Sequence, residues 1–262
     1  MTYATIRVSV DERGVAALTL ARPDKHNALN PAMMVEITEA AKALAGDAAI
    51  RVAVLRGDGE SFCAGGDLGW MKEQFAATRS ERMAQARILA TMLRTLNELP
   101  KPLIAAVHGP AYGGGIGMIS VCDNAVAANT AQFGLTETRL GLIPATIGPY
   151  VAARLGEGPA RRVFMSARIF GADEARHLGL VGSVVSPDEL EIAVQKEVKA
   201  YLSTAPGAVA SAKALLRRLT GSIDEAVIED TISRLADTWE GEEVKEGVGA
   251  FFEKRKPRWS KS

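Results

Sequence analysis

A chain of 262 residues is long enough for one large α/β domain or two small ones, and its 47% hydrophobic and 24% charged content is that of a globular protein with a buried core. The 31 Lys and Arg balance the 31 Asp and Glu, so no overall positive field draws in nucleic acid or an acidic membrane, and any anionic ligand must be met by local groups. Two cysteines are too few for a disulfide framework, no apolar run approaches the roughly 20 residues that span a bilayer, and no basic and apolar leader opens the chain; a soluble, cytoplasmic protein is expected.

Residues 5–20 alternate β-branched and polar side chains on both sides of Asp11-Glu12-Arg13-Gly14, the pattern of a hairpin. Asn30-Pro31 then supplies an N-cap and a first-turn proline, and Met34, Ile37, Ala41 and Leu44 recur at helical spacing. Residues 51–56 and 103–107 read as short apolar strands, each running into a glycine-rich turn, with a polar helical stretch over 80–99 between them. Further strands are expected at 124–128 and 181–185. After Pro187 the pattern is helical over 188–202, 207–219, 224–239 and 242–256, punctuated by Pro206-Gly207 and Gly221. Strand, glycine-rich loop and helix in repeated order predict an α/β fold with its chemistry at strand ends. The terminal amphipathic helices are expected to pack on their own domain or on another subunit.

Three segments stand out. Ser61-Phe62-Cys63-Ala64-Gly65-Gly66-Asp67-Leu68 follows a strand and precedes a helix, so small residues let a ligand approach the backbone while the helix start directs N–H groups outward. Taken alone, it is equally a plain strand-to-helix turn. His108-Gly109-Pro110-Ala111-Tyr112-Gly113-Gly114-Gly115-Ile116-Gly117-Met118 repeats the arrangement. Its glycine spacing does not fit the dinucleotide-binding fingerprint, because Met118 stands where the third glycine or alanine is needed, and no phosphate-binding loop ending in Gly-Lys-Ser/Thr occurs. In residues 131–144, Glu137 lies among apolar neighbours, where desolvation would raise its pKa and poise it for proton transfer; the plainer reading is a surface glutamate or a partner for Arg139.

Taken together and in order, these segments resemble the enoyl-CoA hydratase/isomerase superfamily, also called the crotonase family. The resemblance extends over nearly the whole chain: the opening hairpin, Arg22-Pro23, His26-Asn27-Ala28-Leu29, the two glycine loops, Cys122-Asp123, the Glu137 segment and Phe251-Phe252-Glu253-Lys254-Arg255. It implies a spiral of ββα turns forming an acyl-CoA core over residues 1–200, followed by a helical trimerisation region over 201–262, assembled as a trimer or a dimer of trimers. It implies further that the backbone N–H groups of Gly66 and Gly114 form an oxyanion hole, that Glu137 is the acid/base, and that Lys25, Ala28, Ala64, Asp67 and Leu68 meet coenzyme A. Phe251 and Lys254 match positions reaching the adenine and phosphate region, often from a neighbouring subunit. Coenzyme A arrives as part of the substrate, and no separate cofactor or metal is implied.

One departure matters chemically. The best-known relatives hold a water between two glutamates, and Gly117 occupies the first of those positions. Water addition needs a base for the hydroxyl and an acid for the alpha carbon, so Glu137 must serve both steps or a group elsewhere must help. A single carboxylate also suits a double-bond isomerase, whereas residues 143–150 and the Gly-Ile-Gly-Met loop look more like bacterial hydratases of 3-methylglutaconyl-CoA and its terpenoid homologues. Hydration of an α,β-unsaturated acyl-CoA is the leading expectation, with isomerisation and noncatalytic acyl-CoA binding as alternatives. The hydroxyls of Tyr112, Thr146 and Tyr150 are candidates for selecting the acyl group, Tyr150 more as a core residue. Trp70 and Met71 suit an acyl channel or the core, and Met92 and Met118 the core. Cys63 and Cys122 read as packing residues, and His26, His108 and His177 lack metal-site spacing.

Overall fold

The computed structural model describes residues 2–221 and 223–260. The hairpin forms as β1 (Ile6–Val10) and β2 (Val15–Leu20), antiparallel across the Asp11–Gly14 turn, with Asp11 Oδ1 accepting the N–H groups of Arg13 and Val15. Asn30 caps α1 (Pro31–Gly46), its side chain accepting from the Met33 N–H, and the four residues read at helical spacing are all buried. β3 (Val52–Gly57) leads through the first glycine loop to α2 (Leu68–Ala76) and α3 (Arg79–Asn97), the latter opened by a Thr78/Glu81 capping box.

The next two turns repeat one motif. β4 (Leu103–Val107), the two-residue β5 (Ala111–Tyr112) and α4 (Gly114–Ser120) make one; β6 (Asn124–Ala128) and β7 (Gln132–Gly134) begin the other, which continues through α5 (Gly148–Leu155) and α6 (Glu157–Phe164). Within each turn the first strand joins a six-stranded sheet of order β1-β2-β3-β4-β6-β9 and the second joins a three-stranded sheet of order β5-β7-β8. β8 (Ile169–Gly171), α7 (Ala172–His177) and β9 (Ser183–Val185) close the series. All pairings in the large sheet after the hairpin are parallel, and β4 is buried throughout, as strands covered on both faces must be. The expected α/β class is the observed one.

The C-terminal helices are α8 (Leu190–Leu202), α9 (Pro206–Leu219), α10 (Glu225–Glu240) and α11 (Glu242–Phe252). α8 covers the large sheet through Leu190, Val194 and Val198, and α10 packs Ile228 and Ile232 against Ala86 and Ala90 of α3. The last helix is four residues shorter than its sequence pattern. Lys254 adopts φ +54, and Arg255 folds back to grip Glu246 with two hydrogen bonds of 2.7 and 3.0 Å, which turns the chain before Pro257.

Candidate active site

The two glycine loops and the Glu137 segment are stitched side by side. Ala64 N–H donates to the His26 carbonyl, Leu29 N–H to the Gly65 carbonyl, and Asp67 N–H to the Leu29 carbonyl, while Cys63 and Tyr112 exchange bonds with the second loop and the first. Gly113 N–H donates to the Gly134 carbonyl, tying the second loop to the strand that precedes Glu137. Because successive N–H groups of an extended segment point to opposite sides, the bonds made by the Gly65 carbonyl and the Asp67 N–H toward Leu29 turn the Gly66 N–H the other way. Gly114 is the first residue of α4, where an N–H has no intrahelical acceptor.

Both glycines line one cavity of about 350 Å³, which Glu137 also lines. The rest of the lining includes Trp70 and Met71 of α2, residues 142–147, and Leu235, Trp239 and Phe251 of α10 and α11. Leu68, Ala64, Tyr112 and Thr146 are part of the lining too. Such a concave, mainly apolar space with few polar groups is the usual form of a small-molecule site.

Glu137 opens a short 3-10 turn, Glu137–Leu140, that follows β7. Its Oε2 is sealed from solvent and has no hydrogen-bond partner, although the residue as a whole is only partly buried. Burial pushes the carboxyl up to about 7 against a smaller opposing pull from its own backbone N–H. It is not paired with Arg139, whose guanidinium donates instead to the Ala167 carbonyl at 2.9 Å.

At Gly117 the space is closed: a Cβ built there would stand 2.6 Å from Ile147 Cγ2 and 3.0 Å from Ile147 Cβ. Ile147, buried and facing the cavity, occupies the ground beside the missing carboxylate position.

Several expected binding residues lie elsewhere. Asp67 caps α2 through the N–H groups of Gly69 and Trp70 and holds the Arg22 guanidinium at 2.8 Å; burial acts to raise its pKa, but Arg22 and those N–H groups hold it below the usual carboxylate range. Its side chain is committed to the scaffold. Ala28 is buried, with its carbonyl accepting from Arg22, while Lys25 lies exposed on the Pro23–Lys25 turn. Neither lines the cavity, nor does Lys254, which is exposed beyond α11. Tyr150 lines a separate hollow with Asp123 and Lys213. Cys63 and Cys122 are buried, and burial pushes both thiols up to about 12, so neither is a thiolate at neutral pH. Among the described residues no group of His, Cys, Asp and Glu is placed to hold a metal, and no helix is long and apolar enough to cross a membrane.

The sequence reading missed Leu235, Trp239 and Ile147. A chain folding back over 100 residues leaves no local signal; only the apolar stripe of α10, with Trp239 at its end, marked a face awaiting a partner.

Comparison with known proteins agrees with this geometry. The family model described as enoyl-CoA hydratase/isomerase matches residues 11–262. A crotonyl-CoA hydratase of Syntrophomonas wolfei is 36% identical over 260 residues, covering 98% of each chain. A mevalonyl-coenzyme A hydratase of Aspergillus fumigatus is also 36% identical, covering 97% of this chain and 94% of its own. The crystal structure of an enoyl-CoA hydratase from Shewanella pealeana superposes with a TM-score of 0.80 at 37% identity, covering 98% of this chain and 96% of the other.

Proposed function

The chain belongs to the enoyl-CoA hydratase/isomerase family, and on that premise we propose that it hydrates a branched, α,β-unsaturated acyl-CoA through a thioester enolate, with Glu137 as both base and acid. The observation that carries this reading is the buried, unpartnered Glu137 carboxyl lining the same cavity as two glycines whose N–H groups are left over by the fold. The thioester carbonyl accepts from the N–H groups of Gly66 and Gly114. Donors set in place before charge develops are each worth roughly 3 kcal/mol in the transition state. Water adds to the β carbon as Glu137 takes its proton, and Glu137 then returns a proton to the α carbon. The apolar wall of Trp70, Met71 and Leu142 receives the acyl chain, while Ala64 and Leu68 border the thioester arm. The exposed Lys25 and Lys254 meet the phosphates by charge in this reading, and Phe251 stacks against the adenine end.

Residues 143–150 and a relative named for mevalonyl-coenzyme A support a branched acyl group such as 3-methylglutaconyl. Incubation with crotonyl-CoA and 3-methylglutaconyl-CoA, following loss of conjugated-thioester absorbance and the product mass, tests this. The branched substrate is expected to gain water faster; conversion of a nonconjugated enoyl-CoA without added water would establish the isomerase instead, a reading favoured by the single carboxylate.

Self-association into a trimer or a dimer of trimers is supported by α9, which has no buried residue and exposes Leu215, Leu216 and Leu219. Light scattering giving a monomer mass at micromolar concentration would contradict it.

A further inference from the structure

One arm of Arg22 stands at the head of a chain of peptide groups that ends on the Gly66 N–H. Its Nη1 donates to the Ala28 carbonyl at 2.7 Å. The Ala28 carbonyl and the Leu29 N–H belong to one planar trans peptide and point in opposite directions, and the Leu29 N–H donates in turn to the Gly65 carbonyl at 2.7 Å. The Gly65 carbonyl and the Gly66 N–H share the next peptide in the same way. Every donor in the series therefore faces from the guanidinium toward Gly66, and holding the Ala28 carbonyl helps to fix the direction of an N–H two peptides away. The other arm, Nη2, donates at 2.8 Å to Oδ2 of Asp67, the residue that follows Gly66. Only 16% and 15% of these two side chains is exposed, so solvent screens the charge weakly. The Arg22 backbone is held separately by Asn27, whose Oδ1 accepts the Arg22 N–H and whose own N–H donates to the Arg22 carbonyl, both at 2.9 Å.

Resting on the reading that the Gly66 N–H receives the thioester oxygen, we infer that Arg22 is a positioning residue for the reaction: through two peptide groups in series it aims that N–H and strengthens it as a donor. Arg22 does not itself line the cavity, so its effect passes through the backbone. Hydrogen-bonded groups aligned head to tail polarise one another, and a cation at the head of the series raises the positive charge on the last hydrogen. The gain grows as negative charge develops on the thioester oxygen, so it belongs to the transition state more than to substrate binding. Glycine at 65 and 66 allows the backbone this close approach but gives the donor no side chain to steady it, and its direction is set from outside.

The test reads the donor directly with 4-dimethylaminocinnamoyl-CoA, a conjugated thioester whose absorption moves to longer wavelength when its carbonyl oxygen is polarised, alongside hydration kinetics and melting temperature. The wild type is expected to shift the bound probe to longer wavelength. Arg22→Gln is expected to bind it within about threefold of wild-type affinity with less than about half the shift, and to lower kcat about tenfold with KM within about twofold. Arg22→Lys, which keeps the charge but not the two-armed fork, is expected to recover part of both shift and rate. Asp67→Asn keeps a capping oxygen for α2 and loses the anion that holds Nη2; it is expected to lose part of the shift, and it decides the matter if Arg22→Gln does not fold. A full shift in Arg22→Gln or in Asp67→Asn, or a shift in Arg22→Lys no larger than in Arg22→Gln, would overturn the assignment. A wild-type protein that binds the probe without any shift would instead remove the backbone oxyanion site, and the role of Arg22 with it.

Discussion

The Glu137 carboxyl rests on Gly113: a Cβ at that glycine would stand 2.9 Å from Glu137 Oε1. Gly113 has φ +46, a backbone conformation that side chains disfavour, and it is the residue that turns the chain into α4. Bare backbone is thus what allows the helix start carrying the Gly114 N–H and the acid/base carboxyl to share one wall. Gly113→Ala is expected to combine backbone strain of about 1–2 kcal/mol with displacement of the carboxyl, lowering both the melting temperature and kcat, the latter by about tenfold or more. A variant with wild-type kcat would show that the contact is incidental.

The raised Glu137 pKa carries two pH predictions. As the base, Glu137 must be ionised, so kcat/KM for hydration is expected to rise as pH rises through about 7 and level off above, and this limb is expected to disappear in Glu137→Gln.

For stability the sign is opposite. The carboxyl binds its proton more tightly folded than unfolded, so the folded state is favoured below the ordinary glutamate value of 4.5 and loses up to about 3 kcal/mol as pH rises from there through about 7. Glu137→Gln is therefore expected to melt above the wild type at pH 8, with the gap shrinking toward pH 5. A gap that grows toward acid pH would contradict the burial argument.

Reinstating a carboxylate at position 117 is expected to fail on steric grounds. Gly117→Glu drives its Cβ into the branched Ile147 side chain and should destabilise the protein by about 1–3 kcal/mol without raising turnover. Combining it with Ile147→Gly should relieve the clash. Full stability and faster hydration from the single variant would show that Ile147 yields easily.

Much of this was legible before the fold was known, and the reasons are local. Asn30-Pro31 and the hairpin turn act within a few residues, so α1, β1 and β2 follow from their own chemistry. β5 and β7 were not legible, because strands of two and three residues show no period and exist only by pairing with each other and with β8. The glycine loops marked the backbone side of the cavity. The part of its lining made by Leu235, Trp239 and Phe251 depends on where α10 and α11 pack. Asp67 shows the converse: the family resemblance sets it against coenzyme A, while its carboxylate is spent on Arg22 and the α2 cap.

The central claim, water addition by a single carboxylate, is tested most directly by turning over crotonyl-CoA in oxygen-18 water with wild-type protein and Glu137→Gln. The account predicts a hydroxyacyl thioester carrying one oxygen-18 from the wild type and a rate at least about 100-fold lower from the variant, with thioester binding largely retained. A product without the label, or labelled product formed at the same rate by Glu137→Gln, would contradict it.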